Sequence, residues 1–123
     1  MLNLKDLEPA YISLYVPFKQ VESVAKKLIK DIIGRELPVT VKGEDEYPEL
    51  RILIEIDDSL LTDDEVVYLS SRGFSADQPY RSAHFVLEEI LDGARYEILP
   101  RLGHDDEFGT YFLVEIGYEY YID

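Results

Sequence analysis

The chain has 123 residues, no cysteine, and 26 Asp/Glu against 12 Lys/Arg, a formal net charge of −14. That length can bury a core without staples, and the missing cysteines exclude disulfides, thiolate metal sites and a cysteine nucleophile. The charge is lopsided: residues 1–43 hold seven basic and five acidic side chains, residues 44–123 five and 21, so the last two-thirds carry −16. A field of that sign repels nucleic acid and anionic lipid and steers cationic partners inward.

In chain order, the N-terminal MLNLKDLEPAYISLYVPF shows no basic segment followed by a long apolar run, so no signal peptide is expected and a cytoplasmic setting fits. No stretch approaches the ~18 apolar residues of a membrane span. AYISLYV (10–16) alternates Ile12, Leu14 and Val16 with Tyr11, Ser13 and Tyr15, which predicts a strand. Pro17 opens a helix whose stripe is Phe18, Val21, Ala25, Leu28 and Ile32, closed by Gly34.

LPVTVK (37–42) and LRILIEID (50–57) predict two more strands, with Leu37, Val39, Val41, Ile52, Ile54 and Ile56 inward and GEDEYPE (43–49) as an acidic hairpin loop. Thr62-Asp63-Asp64-Glu65 has the T-x-x-E form of a capping box and predicts a helix over 63–72. Asp77 is expected to cap a second helix over 78–92, with Ala83, Val86, Leu87, Ile90 and Leu91 inward. RYEILPRL (95–102) and TYFLVEIGYEYYI (110–122) predict a final hairpin across GHDDEFG.

The order β-α-β-β-α-α-β-β, with every strand apolar on one face only, predicts a single α+β domain over 1–123. It is expected to be a two-layer sandwich: a mostly antiparallel five-stranded sheet with helices on one face. The nearest simple arrangement is a ferredoxin-like βαββαβ unit with an extra helix and a final strand.

The sheet's other face is then open, and period-two alternation assigns it Tyr11, Tyr15, Leu53, Glu55, Asp57, Glu97, Leu99, Tyr111, Leu113, Glu115, Glu119, Tyr121 and Asp123. The same alternation sends Tyr118, Tyr120 and Ile122 inward. Tyrosine offers large contact area at low entropic cost, and neighbouring carboxylates suit lysine and arginine. Such tyrosines also stabilise a sheet simply by cross-strand pairing.

Motifs for chemistry are weak. His84 stands one turn before Glu88, an ordinary solvated i,i+4 pair. Gly103-His104-Asp105-Asp106-Glu107 resembles a hard-metal or acid/base cluster, but consecutive loop carboxylates do not converge on one point. Asp57, Asp58, Asp63, Asp64 and Glu65 lack the calcium-loop spacing, and acids in a first helical turn complement the helix dipole. No phosphate loop, dinucleotide fingerprint, zinc spacing or nucleophile elbow occurs, so neither a cofactor nor a catalytic residue is assigned.

The expectation is therefore a non-enzymatic acidic inhibitor that presents carboxylates and tyrosines to a basic nuclease or nucleic-acid-binding partner without touching nucleic acid itself. In physical type this is a nucleic-acid mimic, as immunity proteins and anti-CRISPR or other anti-defence proteins are. Two other readings stay open: a small regulatory or adaptor subunit with incidental acidity, and a small hydrolase or metal-binding domain with its site near His104.

Overall fold

Local sequence decides most of the elements. The computed structural model describes residues 10–46 and 49–118. Strand β1 (Ala10–Pro17) runs into helix α1 (Phe18–Ile33) at Pro17, whose φ of −68° already suits the helix start. Helix α1 ends at Gly34 in the left-handed region, its N–H returned to the Lys30 carbonyl. The expected stripe packs inward: Val21, Ala25 and Ile29 are fully buried, with Phe18, Leu28 and Ile32 half-buried around them.

Strands β2 (Val39–Glu46) and β3 (Glu49–Ile56) follow, then a single 3-10 turn at Asp58–Leu60. The acidic run expected to be hairpin loop is instead strand, paired out to Glu46 opposite Glu49. Gly43 belongs to that strand. A Cβ there would come within 3.2–3.3 Å of the Leu102 and Phe18 side chains, so glycine lets β2 lie this close to the opposite wall without displacing them.

Helix α2 (Asp63–Ser71) carries the expected capping box: Thr62 Oγ1 accepts from the Glu65 N–H at 3.2 Å, and Glu65 Oε1 accepts from the Thr62 N–H at 3.0 Å. Arg35 clamps the same carboxylate, donating from Nε and Nη2 at 2.9 and 2.8 Å. These donors, Arg35 first, hold the Glu65 carboxyl down at about 2.

Helix α3 (Pro79–Ile90) begins at Gln78 rather than at the expected Asp77 cap. Pro79 fixes the first turn, where its missing N–H costs nothing. Ser82, buried in α3, accepts from the Ser75 N–H at 3.0 Å and ties the preceding loop to the helix.

Strand β4 (Arg95–Asp105) pairs with β5 (Gly109–Tyr118). Their connection is shorter than the seven residues expected, because pairing continues to Asp105 opposite Gly109. Pairing breaks between Ile98 and Leu102, where Leu99, Pro100 and Arg101 bulge out opposite Leu113 alone. Pro100 has no N–H for a ladder, which places the bulge there.

The expected α+β class with antiparallel pairing holds, but the five strands do not form one sheet. They divide into a three-stranded sheet, β1-β5-β4, and a two-stranded sheet, β2-β3. A ferredoxin-like order is not realised, since β3 pairs with β2 in a sheet of its own and not with β1. The two sheets share one core. Helix α1 contacts β1, β2 and β5, and α3 covers β3. Phe112, Val114 and Ile116 of β5 meet Ile52, Ile54, Val86 and Leu87 in that cluster.

Candidate functional site

Two surfaces concentrate polar aromatic and charged side chains. The first is the outer face of the three-stranded sheet. Antiparallel register lays its residues out in rows across β1, β5 and β4: Ser13, Glu115 and Glu97 form one row, Pro17, Tyr111 and Gly103 another, and Tyr15 and Leu113 lie between them. Glu97 and Glu115 are thus directly opposed, with about 4.5–5.5 Å between Cβ atoms in such pairs. Among the described residues neither has an ion-pair partner.

Beside this carboxylate row sits an aromatic cluster. Tyr15 and Tyr111 meet edge to face at 5.1 Å, and Phe108 lies 5.3 Å from Tyr111. Gly103 makes room for it, because a Cβ there would overlap the Tyr111 ring. Tyr15 is 62% exposed, so the cluster is held in shape from beneath while its outermost ring faces water.

Of the side chains expected on one open face, Tyr15, Glu97, Tyr111 and Glu115 come together here. Glu55 and Asp57 do not, because they belong to the two-stranded sheet and its exit. Glu55 is paired to Lys42 at 3.0 Å. Asp57 caps the 3-10 turn, accepting from the Ser59 hydroxyl at 2.6 Å and the Ser59 N–H at 3.0 Å, which lowers its pKa. Leu53 is buried rather than open, outside the main core cluster. Tyr11 pairs opposite Gly117 through its backbone. The Tyr11 and Tyr118 side chains, with Glu119, Tyr120, Tyr121, Ile122 and Asp123, lie outside the described residues.

The second surface is a groove of about 670 Å³ between the start of β3, the first turns of α3 and the front half of β4. Tyr80, His84 and Tyr96 line it with Glu49, Arg51 and Glu97. His84 was expected to be a solvated partner of Glu88. It is half-buried and hydrogen-bonded on both ring nitrogens, Nε2 to Tyr80 Oη at 3.2 Å and Nδ1 to Tyr96 Oη in a short contact. Burial, then the negative charge of Glu88, and the Tyr80 phenol push the Tyr96 hydroxyl well above the usual tyrosine range.

Compared with protein-family profiles, curated proteins and solved structures, the chain gives no match. Its chemistry is therefore read from these two surfaces and from the third region that sequence singled out, the turn after His104. His104 is exposed in strand register opposite Thr110, and Asp105 Oδ1 accepts from the Glu107 N–H at 2.7 Å to shape the turn. No group of three His, Asp or Glu side chains placed to hold a metal occurs among the described residues. No described helix is long and apolar enough to cross a membrane.

Sequence reasoning missed the groove. The available signal was Tyr80, which stands four residues before His84 as Glu88 stands four after it. Side chains on either side at that spacing are neighbours on the helix surface. The Tyr96 partner comes from a different element and leaves no mark in local sequence.

Proposed function

We propose that this protein is a non-enzymatic inhibitor that binds a basic protein, a nuclease or nucleic-acid-binding assembly, through the outer face of β1-β5-β4. The observation that carries the reading is the directly opposed pair Glu97 and Glu115, with no ion-pair partner among the described residues. Like charges across a strand pair destabilise a sheet. An arginine or lysine from a partner turns that repulsion into attraction, so the cost in the free protein becomes affinity in the complex. The Tyr15–Tyr111–Phe108 cluster supplies the adjoining contact area, and the net charge of −14 steers a basic partner toward it. Carboxylates beside rings present what a nucleic acid presents, a line of negative charge beside stacking surfaces. In a cytoplasmic setting this face competes with nucleic acid for the partner's basic cleft.

The test is capture from the native host with wild type and with Glu115→Lys, at low and at physiological salt. Binding of a basic nuclease by wild type, its inhibition, and loss of both in Glu115→Lys with unchanged unfolding are expected. The association rate should fall clearly as the Debye length contracts to ~8 Å at 0.15 M salt. A partner held equally by the charge-reversed variant, at a rate indifferent to salt, refutes the reading.

A further inference from the structure

The groove at Tyr80, His84 and Tyr96 has a chemistry of its own. A neutral imidazole carries one N–H and one lone pair. With a phenol on each nitrogen, one tyrosine donates to His84 and the other accepts from it. Either polarity leaves no ring nitrogen turned to the groove as a base or a metal ligand. What remains is a fixed aromatic corner: Tyr80 and His84 stand nearly perpendicular at 5.0 Å, and His84 and Tyr96 are tilted by 46° at 5.4 Å.

The charges around that corner are Glu49, Arg51 and Glu97, a net of one negative, and Glu88 adds its field at Tyr96. Aromatic faces in a negative field attract cations through the ring quadrupole and repel anions. One cation already stands at the rim. Arg51 Nη2 reaches Glu49 Oε2 at 3.4 Å, a long contact between two largely exposed side chains. Exposed pairs of that kind contribute little, so Arg51 is an occupant that a better-placed cation displaces.

We propose that this groove binds an organic cation, an alkylammonium or guanidinium group, seated against the Tyr80–His84–Tyr96 rings and paired with the carboxylates of Glu97 and Glu49. Its volume, about 670 Å³, suits a small molecule or one long side chain of a peptide. The groove adjoins the sheet face at Glu97, which borders both, whereas Tyr15 and Glu115 do not line it.

The experiment is an NMR titration of the full chain with two probes, N-acetyl-arginine amide and choline, following the ring signals of Tyr80, His84 and Tyr96. Saturable shifts at all three rings are expected with at least one probe. Tyr80→Leu should weaken binding by about tenfold, within the range of a cation–π contact, and Glu97→Gln by several-fold. Arg51→Gln should strengthen it, because the rival cation is gone. Tyr15→Ala should leave it unchanged, which separates this site from the aromatic cluster of the sheet face. Preference for the arginine amide assigns a guanidinium borne on a peptide; preference for choline assigns a free quaternary amine; both support a cation site. The proposal is overturned if neither probe saturates or if acetate and phosphate produce the same shifts. It is equally overturned if Arg51→Gln weakens binding, whatever the behaviour of Tyr80→Leu.

Discussion

The two histidines sit in regions that sequence and structure rank in opposite order. His104 is surrounded in sequence by Asp105, Asp106 and Glu107, and looks like a site. In the fold it is an exposed strand residue beside a turn that Asp105 shapes through backbone N–H groups. His84 is flanked by Ala83 and Phe85 and looks like filler on a helix. In the fold it joins α3 to β4 through the Tyr96 phenol, bonds Tyr80 on its own helix, and lines the groove. The difference teaches that adjacency along a strand or turn disperses side chains, whereas convergence needs elements that are distant in sequence.

The comparison is broken most severely by changing what holds the His104 hairpin, which is not its tip. Phe112, fully buried in β5, pairs with Leu102 of β4 and stacks edge to face on Phe18 at 6.0 Å. Phe112→Ala is expected to cost about 3–5 kcal/mol in urea unfolding. A loss under 1 kcal/mol would mean the hairpin stands without its core contact.

Next in size is His84→Ala, expected to cost about 1–3 kcal/mol, since it removes a half-buried ring and strands the hydroxyl of Tyr96. His84→Phe should recover part of that loss by packing alone. If both variants unfold at the wild-type midpoint, the link between α3 and β4 is not structural.

Tyr96→Phe sharpens the contrast through pH. At neutral pH it should cost about 0.5–1.5 kcal/mol for the lost hydrogen bond. The folded Tyr96 hydroxyl titrates above its unfolded value of about 10, so its contribution is complete below that pH and is lost as pH rises beyond it. Wild type should therefore lose stability above pH 10 more steeply than Tyr96→Phe. Parallel alkaline curves would remove Tyr96 from the set of perturbed groups.

The smallest effects belong to the tip. His104→Ala and Asp105→Asn should each stay within about 0.5 kcal/mol of wild type, because His104 is exposed and asparagine still accepts the Glu107 N–H. Loss of the proposed partner binding in either variant would give the turn a functional role.

Much of the fold was legible because it is local. The α1 stripe, the Thr62–Glu65 capping box and the inward set Phe112, Val114 and Ile116 follow from periodicities of one helix turn and one strand repeat. The division into two sheets was not, since alternation says which face of a strand is apolar and nothing about which strand lies beside it. The same limit explains the candidate face: Tyr15, Tyr111, Glu97 and Glu115 share it, whereas Glu55 alternates correctly but on another sheet and Asp57 lies just past that sheet's end. The groove was illegible for a related reason. Its aromatic corner needs Tyr96 against α3, a contact between elements, and its rim needs the start of β3.

The bulge at Leu99, Pro100 and Arg101 has a consequence for how copies of this chain behave in a crowd. A tyrosine-rich antiparallel hairpin with an open edge is a template on which another chain can grow, and fibrils begin at such edges. Strand β4 is such an edge of its sheet, and the bulge cuts it into two short runs, Arg95–Ile98 and Leu102–Asp105. Pro100 offers no hydrogen there, and Arg101 adds a charge that an incoming strand would have to accommodate. The interruption acts as a gatekeeper against self-association. A continuous β4, made by deleting the extra residues and replacing Pro100 with threonine, would pair more regularly with β5 and aggregate sooner.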